Sequence, residues 1–241
     1  MNLFLIVFII LIIILTIFFP ISGYYEVKKL KRSNANGDVK KIKFYRDTIL
    51  WSWAPIFLIF LVIYFSGISI DNIGLKWINI DSTAFGKWVV IPIIGFYIFF
   101  LLYNIYLIFF FKNSSQNRTA TEKELVHNFS WFLPQTQKEK KMWVLVSLSA
   151  GITEEILYRG YMFYALAIVF PSLSIIHILI ISTLIFGVGH VYLGKEVIKS
   201  AILGFIFGLF YIVFDSVIPV IIIHIAQDLV MTNMLETAPE K

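Results

Sequence analysis

Apolar residues fill most of this chain in blocks of about twenty, and short polar segments separate the blocks. A helix needs about twenty residues, at 1.5 Å each, to cross roughly 30 Å of hydrocarbon. The blocks predict spanning helices over about 3–23, 48–67, 88–111, 142–170, 173–191, 197–214 and 216–233. None shows the alternation over about ten residues that marks a transmembrane β-barrel strand. The fold class is therefore all-α, a polytopic membrane bundle of about seven helices. The segment 68–87 is intermediate, and leaves room for an eighth, interfacial or re-entrant helix. Its Trp77, Ile78, Ile80 and Phe85 suit the headgroup level. The block 142–170 is long for one span, about 43 Å as a straight helix. It tilts or lays its first turns on the interface. Pro171 ends it, because proline cannot continue the backbone ladder.

Composition narrows this further. Of 241 residues, 59% are hydrophobic and 15% are charged, whereas a soluble domain is about a quarter charged. That leaves no room for a sizeable soluble domain. Cysteine is absent, which excludes disulfides, thiolate metal ligands and a cysteine nucleophile. Residues 3–22 are too long for a signal-peptide core and lack a basic segment before them, so they read as an uncleaved first span. The Ile, Phe, Lys and Asn bias points to an AT-rich bacterial genome.

The net charge of +5 sits mostly between the blocks. Lys28, Lys29, Lys31, Arg32, Lys40, Lys41, Lys43 and Arg46 form the first basic segment. Lys112, Arg118, Lys123, Lys138, Lys140 and Lys141 form the second, and Lys195 and Lys199 the third. With seven spans all three fall on one side, which the positive-inside rule makes cytoplasmic. The N-terminus is then outside and the C-terminus inside, in a bacterial plasma membrane. This charge speaks to orientation, so the expected surroundings are the bilayer and not nucleic acid.

Ionisable residues inside the blocks carry the candidate chemistry. Glu154, Glu155 and Arg159 interrupt an otherwise uncharged stretch from Met142 to Phe170. Each charge at the centre of a span costs about 2.5–3.5 kcal/mol. Glu155 and Arg159 are four apart, hence on one helical face, and suit an ion pair. Glu154 points about 100° away and has no local cation. An unpaired, desolvated carboxylate is what a general base or acid working near neutrality requires. His190 ends the next span in Phe186-Gly-Val-Gly-His190, where Gly187 and Gly189 thin the helix and admit another backbone. His224 and Asp228 share a face at i, i+4, so the carboxylate can orient or charge the imidazole. The last four spans hold most of these strongly polar residues, and the first three are nearly free of charge. His127 lies in a polar loop and reads as solvated; His177 reads as packing.

The ordered motifs Glu154-Glu155-x-x-x-Arg159, Phe186-x-x-x-His190 and His224-x-x-x-Asp228 resemble those of the CPBP family. That family includes type II CAAX prenyl endopeptidases and the bacteriocin-processing and immunity proteins of the Abi group. The resemblance covers about residues 142–232. It implies an intramembrane endopeptidase acting on a membrane-associated or lipidated peptide or protein. Glu154 and His190 would hold and activate a water. His224 and Asp228 would stabilise the oxyanion or complete a metal site, with Glu155 and Arg159 in support. The family's last motif ends in Asn or Asp; Asn is usual in the prenyl proteases, and here the residue is Asp228. Two chemistries fit. Glu154, His190 and His224 could hold zinc with one position open for water, or Glu154 could act as base without metal.

Other intramembrane proteases fit less well, because His-Glu-x-x-His, Gly-x-Ser-Gly and Gly-x-Gly-Asp are all absent. Rival readings are a non-catalytic bacteriocin-immunity or scaffold protein and a proton-coupled transporter. The transporter gains no support from internal repeats, since none is found. The chain divides into accessory N-terminal spans and loops (1–141), a catalytic four-helix core (142–233) and a short polar tail (234–241). Labelling tests the orientation, because the chain has no native cysteine. Ser33→Cys and Ser114→Cys are expected to resist an impermeant thiol reagent from outside intact cells and to label after permeabilisation.

Overall fold

Leu, Ile, Val and Phe dominate the seven predicted blocks, and each block is a helix in the computed structural model. The structure describes residues 3–32, 37–80, 82–110 and 131–233. Helix α1 runs over Leu3–Lys31, with a π turn at Ile14–Phe18. Helix α2 is Gly37–Ser66 and α3 is Lys87–Phe110. Helix α4 covers 137–169 as Gln137–Glu155, a π turn Ile156–Tyr161, and Met162–Val169. Helices α5, α6 and α7 are Ile175–Gly189, Val197–Phe214 and Val217–Val230. Among the described residues there is no strand. By length and composition, α1, α2, α3 and the helical stretch Val191–Phe214 can each cross a bilayer, while α5 and α7 are shorter apolar helices.

The first basic segment, placed by sequence between the spans 3–23 and 48–67, is mostly helical and not a loop. Lys28, Lys29 and Lys31 occupy the last turn of that stretch of α1. Cations there complement the partial negative charge of a helix C-terminus. Lys41 is not solvated either. It is 5% exposed and donates from Nζ to the Leu133 carbonyl at 3.0 Å, with Glu139 Oε2 at 3.4 Å. Glu139 also completes a capping box with Thr136 at the start of α4, satisfying two orphan amides. Tyr45 donates to the Phe132 carbonyl beside it. Together these contacts fasten the start of α2 to the start of α4.

The segment 68–80 holds no spanning helix. Ser69 caps a short 3-10 turn at Ile70–Ile73. The backbone then pairs with the α6–α7 corner: Asn79 N–H donates to Phe214 O at 3.0 Å, and Val217 N–H to Gly74 O at 2.9 Å. Lys76 reaches Asp215 at 2.6 Å, at the corner residue with φ 47°. Ile73 is buried against α4, where a Cβ on Gly160 would stand 2.5 Å from its carbonyl oxygen.

Helix α4 is the axis of the bundle. Every residue from Glu155 to Phe163 is buried. Its apolar side chains join Leu11 and Leu15 of α1, Ile56 and Ile59 of α2, and Ile178 and Phe186 of α5 in one core. Helix α3 stands outside it. Tyr97 packs on Phe207, Phe210 and Phe214 of α6, while Trp88, Phe99 and Phe109 face outward.

Candidate active site

The site begins with the two adjacent carboxylates of α4, which leave the helix in different directions. Glu155 is fully buried. Its Oε1 accepts from Arg159 Nη1 at 2.7 Å and from His224 Nδ1 at 2.6 Å. Arg159 also donates from Nη2 to the Gly204 carbonyl of α6 at 3.0 Å. Its guanidinium lies over the rings of Phe186 and Phe207, 4.8 and 5.6 Å from their centroids, a favourable cation–π geometry. Glycine is needed at 204, since a Cβ there would come 2.9 Å from the Phe186 ring. One carboxylate thus ties α4, α6 and α7. The other oxygen, Oε2, is buried without a hydrogen-bond partner among the described residues.

His224 Nε2 faces Asp228 Oδ2 at 3.8 Å, so two carboxylates flank the ring. The Asp228 backbone carbonyl accepts from Trp143 Nε1 of α4 at 3.0 Å. Helix α7 can come this close because Gly151 faces it; a Cβ there would stand 2.5 Å from Ile225 Cγ1.

Glu154 turns the other way, into a cavity of about 410 Å³. His190, Tyr158 and Tyr192 line the same cavity, with Phe18 of α1 and Trp51 of α2 among its walls. No hydrogen bond or ion pair reaches the Glu154 side chain from the described residues. His190 Nδ1 is 2.8 Å from the Phe186 carbonyl. A carbonyl only accepts, so Nδ1 carries the hydrogen, and in the neutral ring Nε2 keeps a free lone pair.

The structure therefore brings Glu154 and His190 together in the cavity. His224, Asp228, Glu155 and Arg159 form a second cluster behind them and do not line it. Glu154 remains within electrostatic reach of His224 and Asp228.

Residues 137–230 match the family model described as type II CAAX prenyl endopeptidase Rce1-like. This segment is similar to an Rce1-like domain. It takes in α4 to α7, less than half of the chain, and carries both clusters. Comparison with curated proteins and with solved structures gave no match. The family supports an intramembrane endopeptidase, a peptide hydrolase within the bilayer.

Among the described residues, no group of three or more His, Asp or Glu stands close enough to hold a metal ion. His224 turns one ring nitrogen to Glu155 and the other to Asp228. As arranged, Glu154, His190 and His224 do not fit as a three-ligand metal set.

Two further expectations change. His177 is exposed and does not pack; its Nδ1 meets Ser174 Oγ at 2.7 Å, at the serine that caps α5. Gly189 admits a hydroxyl more closely than a backbone: a Cβ there would stand 3.0 Å from the Tyr158 oxygen and 4.0 Å from Leu15 O. His127 lies outside the described residues. Sequence reasoning missed Tyr192 and the walls from α1 and α2. Tyr192 stands two residues from His190, a signal that was present. The walls are apolar helices like any other and carried none.

The Glu155 pair should be separable from the cavity. Breaking a buried pair costs about 3–5 kcal/mol, while replacing both members by apolar residues can be nearly neutral. Glu155→Gln is expected to lower the melting temperature of the detergent-solubilised protein clearly. Glu155→Gln with Arg159→Met should recover part of the loss. An unchanged melting temperature in the single variant would remove the pair's structural role.

Proposed function

We propose that this protein is an intramembrane endopeptidase in which Glu154 and His190 activate a water for attack on a peptide bond. One observation carries the reading: a carboxylate and an imidazole Nε2, both without a hydrogen-bond partner among the described residues, line the same cavity between helices of a membrane bundle. In the proposed step the water oxygen attacks the carbonyl carbon and its proton passes to Glu154. His190 Nε2 holds the water by accepting its other hydrogen. The intermediate then collapses, the carbon–nitrogen bond breaks, and Glu154 returns the proton to the leaving amine. Glu155, Arg159, His224 and Asp228 keep α4, α6 and α7 in register behind the pair. In this reading the step needs no metal, and the described donors form no three-residue ligating group.

The cavity walls indicate the substrate class. Phe18, Phe19, Phe44, Trp51 and Leu157 offer an apolar, aromatic surface, which suits a membrane-associated or lipidated peptide. The residues involved lie toward the basic ends of α1 and α2. With those ends cytoplasmic, the cavity sits near the cytoplasmic face.

Glu154→Gln tests this, because it keeps size and hydrogen bonding while removing the base. Cells carrying the variant are expected to accumulate an uncleaved peptide that wild-type cells process, with the protein folded and inserted to the same level. Chelator treatment of purified wild type should leave its rate unchanged. Normal processing by Glu154→Gln would favour a scaffold or immunity role, and chelator loss restored by zinc would favour the metal chemistry.

A further inference from the structure

The cavity that holds Glu154 has a charge of its own. Glu26 of α1 and Asp47 of α2 also line it. Their side chains are 52% and 37% exposed, so they stand at its mouth. No lysine or arginine is among its lining residues. Yet Lys28, Lys29, Lys43 and Arg46 each stand beside a lining residue in sequence, or next but one to it. Lys28, Lys29, Arg32 and Lys40 line a neighbouring groove instead, which shares Glu26 as a wall. Cations are plentiful around the mouth and kept off the cavity itself.

The two carboxylates have loose partners. Glu26 Oε1 is 3.7 Å from Lys29 Nζ, and Asp47 Oδ1 is 3.5 Å from Arg46 Nη2. Both pairs are exposed and local in sequence, and such pairs contribute little. An incoming cation can therefore replace them. The aromatic walls favour the same sign of charge. Phe44 and Trp51 line the cavity with Asp47, and ring faces attract an ammonium or a guanidinium. Tyr158 is 4% exposed, and its hydroxyl has no hydrogen-bond partner among the described residues. A buried phenol left without a partner on the wall marks the cavity as a place that receives a polar ligand. An anionic group fits poorly. A free terminal carboxylate would meet Glu26, Asp47 and Glu154 and find no cation.

We propose that Glu26 and Asp47 select substrates that carry a lysine or arginine side chain close to the scissile bond; this rests on the reading of the Glu154 cavity as the place of cleavage. The apolar part of the substrate lies along Phe18, Phe19 and Leu157. The basic side chain reaches back to the mouth, with its stem on the aromatic walls and its charge at the two carboxylates. Neither carboxylate touches the bond that breaks, so their contribution falls on binding.

The probe is the peptide that accumulates in the Glu154→Gln cells, assayed with purified full-length protein in neutral detergent. We expect it to carry lysine or arginine within about three residues of the bond that wild type cuts, roughly 10 Å of extended chain. Glu26→Gln with Asp47→Asn should raise KM about three- to tenfold, the size expected for two exposed charge contacts, with kcat and melting temperature nearly unchanged. Lys29→Gln with Arg46→Gln removes the competing cations and should lower KM. Both shifts should shrink in high salt and vanish for a synthetic peptide with norleucine at the basic position. A merely structural role for the carboxylates would not move KM in opposite directions. A peptide with no basic residue near the cut, or a KM that fails to move in opposite directions in the two variants, would overturn the selection and leave Glu154 in place. An active Glu154→Gln, or no accumulated peptide, would overturn the proteolytic reading and this inference with it.

Discussion

A single carboxylate oxygen, Glu155 Oε1, holds Arg159 and His224 at once in the centre of an apolar bundle. Charges in such surroundings are tolerated only when paired, and an abandoned partner is expensive. This sets where three helices must stand. Helix α6 brings the Gly204 carbonyl to the guanidinium, and α7 brings His224 to the carboxylate. Helix α4 supplies the pair itself. Gly151 and Gly204 allow the close approaches, and Phe186 and Phe207 enclose the cation.

With Glu155 committed inward, the residue before it along α4, Glu154, is left facing the cavity. The contrast between two adjacent glutamates is the basis of the functional reading: one is committed to structure, the other has no hydrogen-bond or ion-pair partner among the described residues. The π turn at Ile156–Tyr161 follows directly. In it the Tyr158 carbonyl accepts from Ser182 Oγ of α5 at 2.8 Å. That bond holds α5, and with it His190, against the helix that carries Glu154.

Much of this was legible in the sequence because the bilayer leaves so few choices. Apolar blocks of about twenty residues become helices, and the helices fall close to the seven predicted blocks. The family match at 137–230 falls on the segment in which the ordered motifs were read. The Glu155–Arg159 pair followed from i, i+4 spacing. The division of six polar residues into two clusters did not, because spacing within helices says nothing about which neighbour each face meets. Lys41 belongs by sequence to the first basic segment, but lies buried on Glu139, ninety-eight positions away. The cavity walls were illegible for a plainer reason: an apolar residue facing lipid and one facing a cavity look alike in sequence.

The central claim is that a water, activated by Glu154, is the nucleophile. A single turnover of enzyme over substrate in heavy-oxygen water tests it most directly, with mass analysis of the new carboxyl group and of the enzyme peptide containing Glu154. Attack by water predicts one heavy oxygen in the product and none in Glu154. Heavy oxygen in the Glu154 side chain, with a light product, would mean that the carboxylate itself attacks and would contradict the general-base role.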